Sequence, residues 1–228
     1  SLGLDVDADS TVTSLSVANI TPVSIASGKS LTGAITVTAG SIKLTETGTV
    51  ASTIAMSGGV LDADESSTVS GALSQSGDIT VDVADNKTLT YSGAAISLGA
   101  NTLTLSGGGS LVSGGLTLNN ADSKLLLNSI TVDNVSTTSD SLGLDVDNNS
   151  TITALSVGHI TPVSVAAGRS LSGAITVTAG SLKLTEAGTL ASTIAMSGGV
   201  LDADESSTVS GALSHSADIT IDVADNKT

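Results

Sequence analysis

The sequence contains no cysteine, phenylalanine or tryptophan, and Tyr91 is its only tyrosine. Without cysteine the chain cannot form disulfides, zinc–thiolate sites or a thiol nucleophile. Without large aromatic side chains the core must be built from Val, Ile, Leu and Ala, which fill a narrow space better than a wide one. The composition therefore predicts a thin, elongated core.

Basic residues are also scarce, because 7 Lys and Arg stand against 22 Asp and Glu, for a formal net charge of −15. Such a surface repels phosphate backbones and anionic lipids, so we expect neither nucleic acid nor direct membrane insertion. No apolar run reaches the roughly 18 residues of a membrane span, and Ser1 does not begin a basic and apolar leader. We expect that a signal peptide has been removed or that the segment is excised from a longer protein.

A long repeat divides the chain. Residues 141–228 match residues 1–88 at a shift of 140, and only 16 of these 88 positions differ. The sequence therefore predicts a first block at 1–140 and a partial second copy at 141–228, continuous with the first. The second copy stops within the block, so we expect the parent protein to continue.

A shorter repeat lies inside the block, where a Ser or Thr is followed each time by an apolar anchor residue. The anchors are 19 to 22 residues apart: Val12, Leu31, Val50, Val69, Leu89, Leu111, Ile130 and, in the next block, Ile152. A fixed period near 20 residues is typical of a solenoid, in which each unit buries its face by stacking on its neighbours.

Before most anchors, two apolar residues flank one polar residue, as in the pair Val23 and Ile25. This alternation, with abundant β-branched residues and Gly-Gly pairs, favours strands over helices. In the seventh coil the run 125–127 lies closer to its anchor, which predicts an irregular corner or a shifted strand. We therefore predict an all-β fold, a parallel β-solenoid of about 11 coils with 19–22 residues each. The usual hand of parallel crossovers predicts a right-handed β-helix.

Residues 103–111 (LTLSGGGSL) and 113–118 (SGGLTL) resemble the strand repeats of bacterial autotransporter passengers and of giant repetitive surface adhesins. Strand repeats of this general kind occur along the whole chain. The resemblance implies a β-helix displayed outside the cell, at the bacterial cell surface, with a structural or adhesive role. It transfers no catalytic residue.

Carboxylates at alternate positions form the best candidate metal site. They are Asp5, Asp7 and Asp9 in the first block and, in the second, Asp145 and Asp147 followed by the amide of Asn149. Hard oxygen ligands of this kind suit calcium. An EF-hand is excluded, since Ser10 and Ser16 stand where its glycine and bidentate glutamate belong. The alternative interpretation is a solvated outer face, because the residue between two inward positions points outward.

A second acidic set includes Asp62 and Asp82. If the coils stack in register, Lys43, Asp62 and Asp82 form one vertical column, in which Lys43 pairs with Asp62. Asp62 and Asp82 would repel each other, which weakens the stack or invites a cation. The alternative is a solubilising surface that discourages lateral sheet pairing.

The histidines, His159 and His215, lie at unrelated coil positions and predict neither a triad nor a metal cluster, so we expect no enzyme. The expected function is a structural repeat segment, a stalk, spacer or fibre subunit of a long bacterial surface or extracellular protein, with no cofactor. The alternative is a calcium-dependent adhesin module. Expected partners are neighbouring copies or segments end to end, with cell surfaces or glycans as further candidates.

Overall fold

The computed structural model describes residues 3–228, which contain 28 β-strands and no helix. In chain order the strands are β1 (Leu4–Val6), β2 (Ser10–Val17), β3 (Thr21–Ile25), β4 (Ser30–Val37), β5 (Ser41–Leu44), β6 (Thr49–Val50), β7 (Thr53–Met56), β8 (Val60–Ala63), β9 (Ser67–Val69), β10 (Leu73–Gln75), β11 (Ile79–Val83), β12 (Thr88–Tyr91), β13 (Ile96–Ser97), β14 (Thr102–Ser106), β15 (Ser110–Val112), β16 (Leu116–Leu118), β17 (Lys124–Asn128), β18 (Thr131–Thr137), β19 (Gly143–Val146), β20 (Ser150–Val157), β21 (Ile160–Val165), β22 (Ser170–Val177), β23 (Ser181–Leu184), β24 (Thr189–Met196), β25 (Val200–Ala203), β26 (Thr208–Val209), β27 (Leu213–His215) and β28 (Thr220–Val223).

These strands form two parallel sheets. Sheet A contains the first strand of every coil, in the order β1-β3-β5-β8-β11-β14-β17-β19-β21-β23-β25-β28. Sheet B contains the other sixteen, one or two from each coil. The prediction of a parallel β-solenoid is confirmed: about eleven coils stack one on the next, and β28 starts another.

The core lies between the two sheets and is filled by the inward residues of each strand. Leu61, for example, pairs with Ile42 on one side and Val81 on the other, and all three are buried. Repetition of this contact turns the apolar residues of successive coils into continuous columns. The thin aliphatic core thus follows from the alternation of period two and from the absence of large aromatic residues.

The register of the stack slips by two residues at some steps, which the anchor pattern did not predict. Val69 pairs with Tyr91, and the predicted neighbour Leu89 pairs with Ser67. A slip of two residues leaves each side chain on its own face, because the side-chain period in a strand is two. Val69, Leu89 and Tyr91 are therefore all buried despite the slip.

The seventh coil is a regular member of the stack whose strand is shifted. A shifted strand was one of the two alternatives that the sequence predicted for this coil. Strand β17 joins sheet A and buries Leu125 and Leu127. The residue of the seventh coil in register with the neighbouring anchors Leu111 and Ile152 is Val132 of β18, so the assignment of Ile130 as the anchor was wrong by two residues. Ile130 is nevertheless buried, at a corner where the preceding Ser129 has a left-handed φ of 57°.

The stack continues across the boundary between residues 140 and 141. Strand β17 of the first block pairs with β19 of the second over four residues, and β18 pairs with β20 over six. Both sheets therefore pass from one copy of the sequence into the next without a break.

Candidate functional site

The first candidate calcium cluster lies at the first coil, on β1 and the corner that follows it. Asp5 is exposed between the inward residues of β1, and Asp7 is exposed at the corner. The Asp9 Oδ1 atom accepts hydrogen bonds from the backbone N of Ser30 at 2.9 Å and from its Oγ at 3.2 Å. Asp9 therefore ties the corner of the first coil to the second coil.

The second cluster, in the eighth coil, shows what this corner requires. Asn149, the counterpart of Asp9, accepts from the backbone N of Ser170 at 3.0 Å and from its Oγ at 3.3 Å. A neutral amide thus replaces a carboxylate and keeps both bonds. The conserved element between the two copies is a hydrogen-bond acceptor, and its charge is dispensable for this contact.

Asp145, the counterpart of Asp5, forms an ion pair with Lys124 of the seventh coil at 3.0 Å. Asp147 is exposed, and its backbone N donates to the carbonyl of Leu127 at 3.0 Å. Within residues 3–228 no group of three or more His, Cys, Asp or Glu side chains is arranged to hold a metal ion. Calcium binding at these clusters stays a prediction, which a melting experiment with and without calcium can test.

The predicted charge column on sheet A is present. Lys43 is in register with Asp62, which is in register with Asp82. The Lys43 Nζ lies 2.9 Å from Asp62 and 2.7 Å from Asp64, a second partner that column reasoning missed because Asp64 lies just beyond the strand. These hydrogen bonds, first that to Asp64 and then that to Asp62, raise the pKa of Lys43 above its usual value of 10.5.

The same cluster recurs in the second copy. Lys183 lies 2.9 Å from Asp204 and 3.3 Å from Asp202, and its pKa is raised for the same reason, with Asp204 as the larger cause. In the first copy, Asp82 accepts a hydrogen bond from the Ser106 Oγ of the next coil. Neighbouring carboxylates in this column therefore each have a donor.

Ion pairs between successive coils recur along the rod. Five of the seven basic residues contact a carboxylate on the next or previous coil: Lys43, Lys87, Lys124, Lys183 and Lys227. The partners stand 19 to 22 residues apart in sequence. A search for Lys and Asp or Glu at one coil's separation would have found the pairs that sequence reasoning missed.

The two sheets differ in outer chemistry. Most strands of sheet A carry a charged residue. In the described strands of sheet B, the only charged residue is Asp133 and the only histidine is His215. The outward positions of sheet B are mainly Ser, Thr and Ala, and hydroxyls bridge neighbouring coils there. Thr11 and Thr32 are 2.7 Å apart at such a bridge.

The geometry defines a class, a tandem-repeat parallel β-solenoid. No protein-family model matches the chain, and no curated protein or solved structure matches it either. The described residues also include no helix long and apolar enough to cross a membrane.

Proposed function

We propose that this chain is a structural repeat segment, a stalk or spacer of a long bacterial cell-surface or extracellular protein. The observation that carries the proposal is the parallel pairing that passes from the first copy into the second through β17–β19 and β18–β20. Each coil satisfies the backbone edge of its neighbour, so a solenoid lengthens by duplication without a new core.

The location outside the cell is supported by the resemblance to passenger and adhesin repeats. The proposal includes adhesion, in which the outer face of sheet B meets cell surfaces or glycans. Its exposed Ser and Thr hydroxyls can both donate and accept hydrogen bonds, as glycan hydroxyls require. The segment itself is assigned no catalytic role.

The spacer role is tested by length. With parallel coils about 4.8 Å apart, this chain should measure about 55 Å along its axis, and one further 140-residue block should add about 33 Å. Small-angle scattering of the two proteins should show the longer dimension increase while the cross-section stays constant. A compact particle, or a thicker one after the addition, would contradict the proposal.

The location is tested separately. Antibodies raised against this segment should label intact, unpermeabilised cells that produce the parent protein. Labelling that appears only after lysis would overturn the assignment to the cell surface and leave the spacer role open to the scattering test.

Calcium dependence separates the structural rod from the alternative adhesin module. The rod, held by aliphatic columns and by lysine–carboxylate pairs, should melt at the same temperature in EDTA as in millimolar calcium. An increase in melting temperature with calcium that disappears when Asp5, Asp7, Asp9, Asp145 and Asp147 are all changed to Asn would favour the module.

A further inference from the structure

The junction of the two blocks is an interface whose geometry the chain itself displays. In β17 and β19, Leu125 is in register with Leu144, and the Lys124 Nζ lies 3.0 Å from Asp145. The backbone N of Asp147 also donates to the carbonyl of the seventh coil at Leu127. The outer edge of the seventh coil thus offers a backbone ladder, an apolar column and one cation to its neighbour.

The first coil has the same edge as the eighth, since residues 3–7 are identical to 143–147. Leu144 and Leu155 are each 1% exposed beneath the seventh coil, while their counterparts Leu4 and Leu15 are only partly buried. Among the described residues no ion pair involves Asp5, the counterpart of Asp145. The first coil therefore presents the same edge that, in the eighth coil, is covered by the seventh coil.

We propose that the outer edge of the first coil is a docking surface for a coil with the edge of the seventh, residues 119–140 of another block. This deepens the proposed structural role, on which it rests. By the register of β17 with β19, Leu125 of the partner block meets Leu4, Leu127 meets Val6, and Lys124 pairs with Asp5.

Charge selects this partner over the other available edge. The outermost strand at the opposite end, β28, presents Asp222 between two inward residues. Stacked in the common register on β1, it would place Asp222 opposite Asp5 and bring no cation to either, and like charges directly opposed destabilise a strand pair. The same pairing of Asp62 with Asp82 inside the stack has a donor on each carboxylate, and the seventh coil supplies such a donor in Lys124. Blocks therefore stack from seventh coil to first coil, which keeps the unit of length at 140 residues.

The test extends the full chain by one coil. A second copy of residues 119–140 is placed directly before Ser1, which reproduces the natural step from Asp140 to Ser141. Because the Asp147 N and Thr151 N donate at 3.0 Å to the seventh coil, we expect amide hydrogen exchange at Asp7 and Thr11 to slow by at least tenfold, on the order of a local opening step. Unchanged exchange at both amides would overturn the proposal.

Two controls test specificity. An extension of equal length from the sixth coil, residues 97–118, has no lysine and should protect Asp7 and Thr11 less. Lys124→Glu in the seventh-coil extension should weaken protection, and Asp5→Lys should restore it. Equal protection by both extensions, or no effect of the charge reversal, would overturn the selection of the seventh coil. Scattering from the unextended chain tests the rod itself independently.

Discussion

Residues 61–88 and 201–228 have nearly the same sequence but different surroundings. They differ at three positions, including Val81, which is Ile221 in the second copy. Val81 is paired on both sides, with Leu61 and Leu105, and is 1% exposed, whereas Ile221 is paired on one side, with Leu201, and is 55% exposed. Burial in this molecule is therefore set by the neighbouring coil, as expected for a fold in which each unit contacts only adjacent units. The two copies offer matched pairs of sites for testing that idea.

The largest contrast should come from Val83→Asp and Val223→Asp, the same change at 0% and 46% exposure. A carboxylate at position 83 would be placed inside the aliphatic core without a partner, at a cost on the order of 4 kcal/mol. At position 223 it can reach water, and we expect a loss below about 1 kcal/mol. Thermal unfolding followed by circular dichroism measures both, and equal losses would contradict the nearest-neighbour view.

A second contrast uses the glycines Gly33 and Gly173, whose φ angles are +128° and +130°. A Cβ at either site would overlap a carbonyl oxygen of the previous coil, that of Val12 or Ile152. Gly173→Ala, inside the stack, should cost about 3 kcal/mol through strain and steric overlap. Gly33→Ala should cost less than half as much, because Leu4 and Leu15 of the first coil are only partly buried and that coil can shift.

Urea unfolding of the two alanine variants gives this comparison directly. Hydrogen exchange should show the loss from Gly33→Ala confined to the first coil. A loss from Gly33→Ala as large and as widespread as that from Gly173→Ala would mean that the first coil is held as rigidly as the interior.

Where both copies lie inside the stack, the contrast should vanish. Ser52 and Ser192 are fully buried, and their Oγ atoms donate to the carbonyls of Leu31 and Leu171 at 3.0 and 3.1 Å. Ser52→Ala and Ser192→Ala should each cost about 1 kcal/mol, the usual net value of one internal hydrogen bond. Melting curves that separate these two variants clearly would show that position along the rod matters beyond nearest neighbours.

The same physics explains which features could be predicted from sequence. The repeat near 20 residues predicted the solenoid class. Alternation of period two predicted the inward face of each strand and, together with the repeat, the Lys43–Asp62 contact, because it shows which side of a strand a residue occupies. It could not fix the absolute register. A slip of two residues, as between Val69 and Tyr91, keeps the same face and leaves no trace in the pattern.

The candidate site illustrates the same limit. The outward position of Asp5 followed from the alternation, whereas the hydrogen bonds of Asp9 to the next coil depend on corner geometry, which the strand pattern does not encode. The pairing of Asp145 with Lys124 required the corrected register of the seventh coil.

The smallest losses of stability concern the lysine clusters. Lys43→Met and Lys183→Met should each cost about 0.5 kcal/mol near neutral pH, since the ion pairs are partly exposed to solvent. The loss should be larger for Lys43, whose Nζ lies 2.9 Å from Asp62, than for Lys183, which lies 3.3 Å from Asp202. The difference between copies here comes from local geometry, since both clusters lie within the stack.

The pH dependence has a definite sign. The pKa of each lysine is raised above 10.5 in the folded state by hydrogen bonds to two carboxylates, so folding favours the protonated amine. The stabilisation is complete below 10.5 and is lost as the pH rises through the higher folded-state pKa. The melting temperature of the unmodified chain should therefore approach that of Lys43→Met in strongly alkaline solution. A gap between the two that persists or widens there would mean that the alkyl stem of Lys43, and not its charge, supplies the stabilisation.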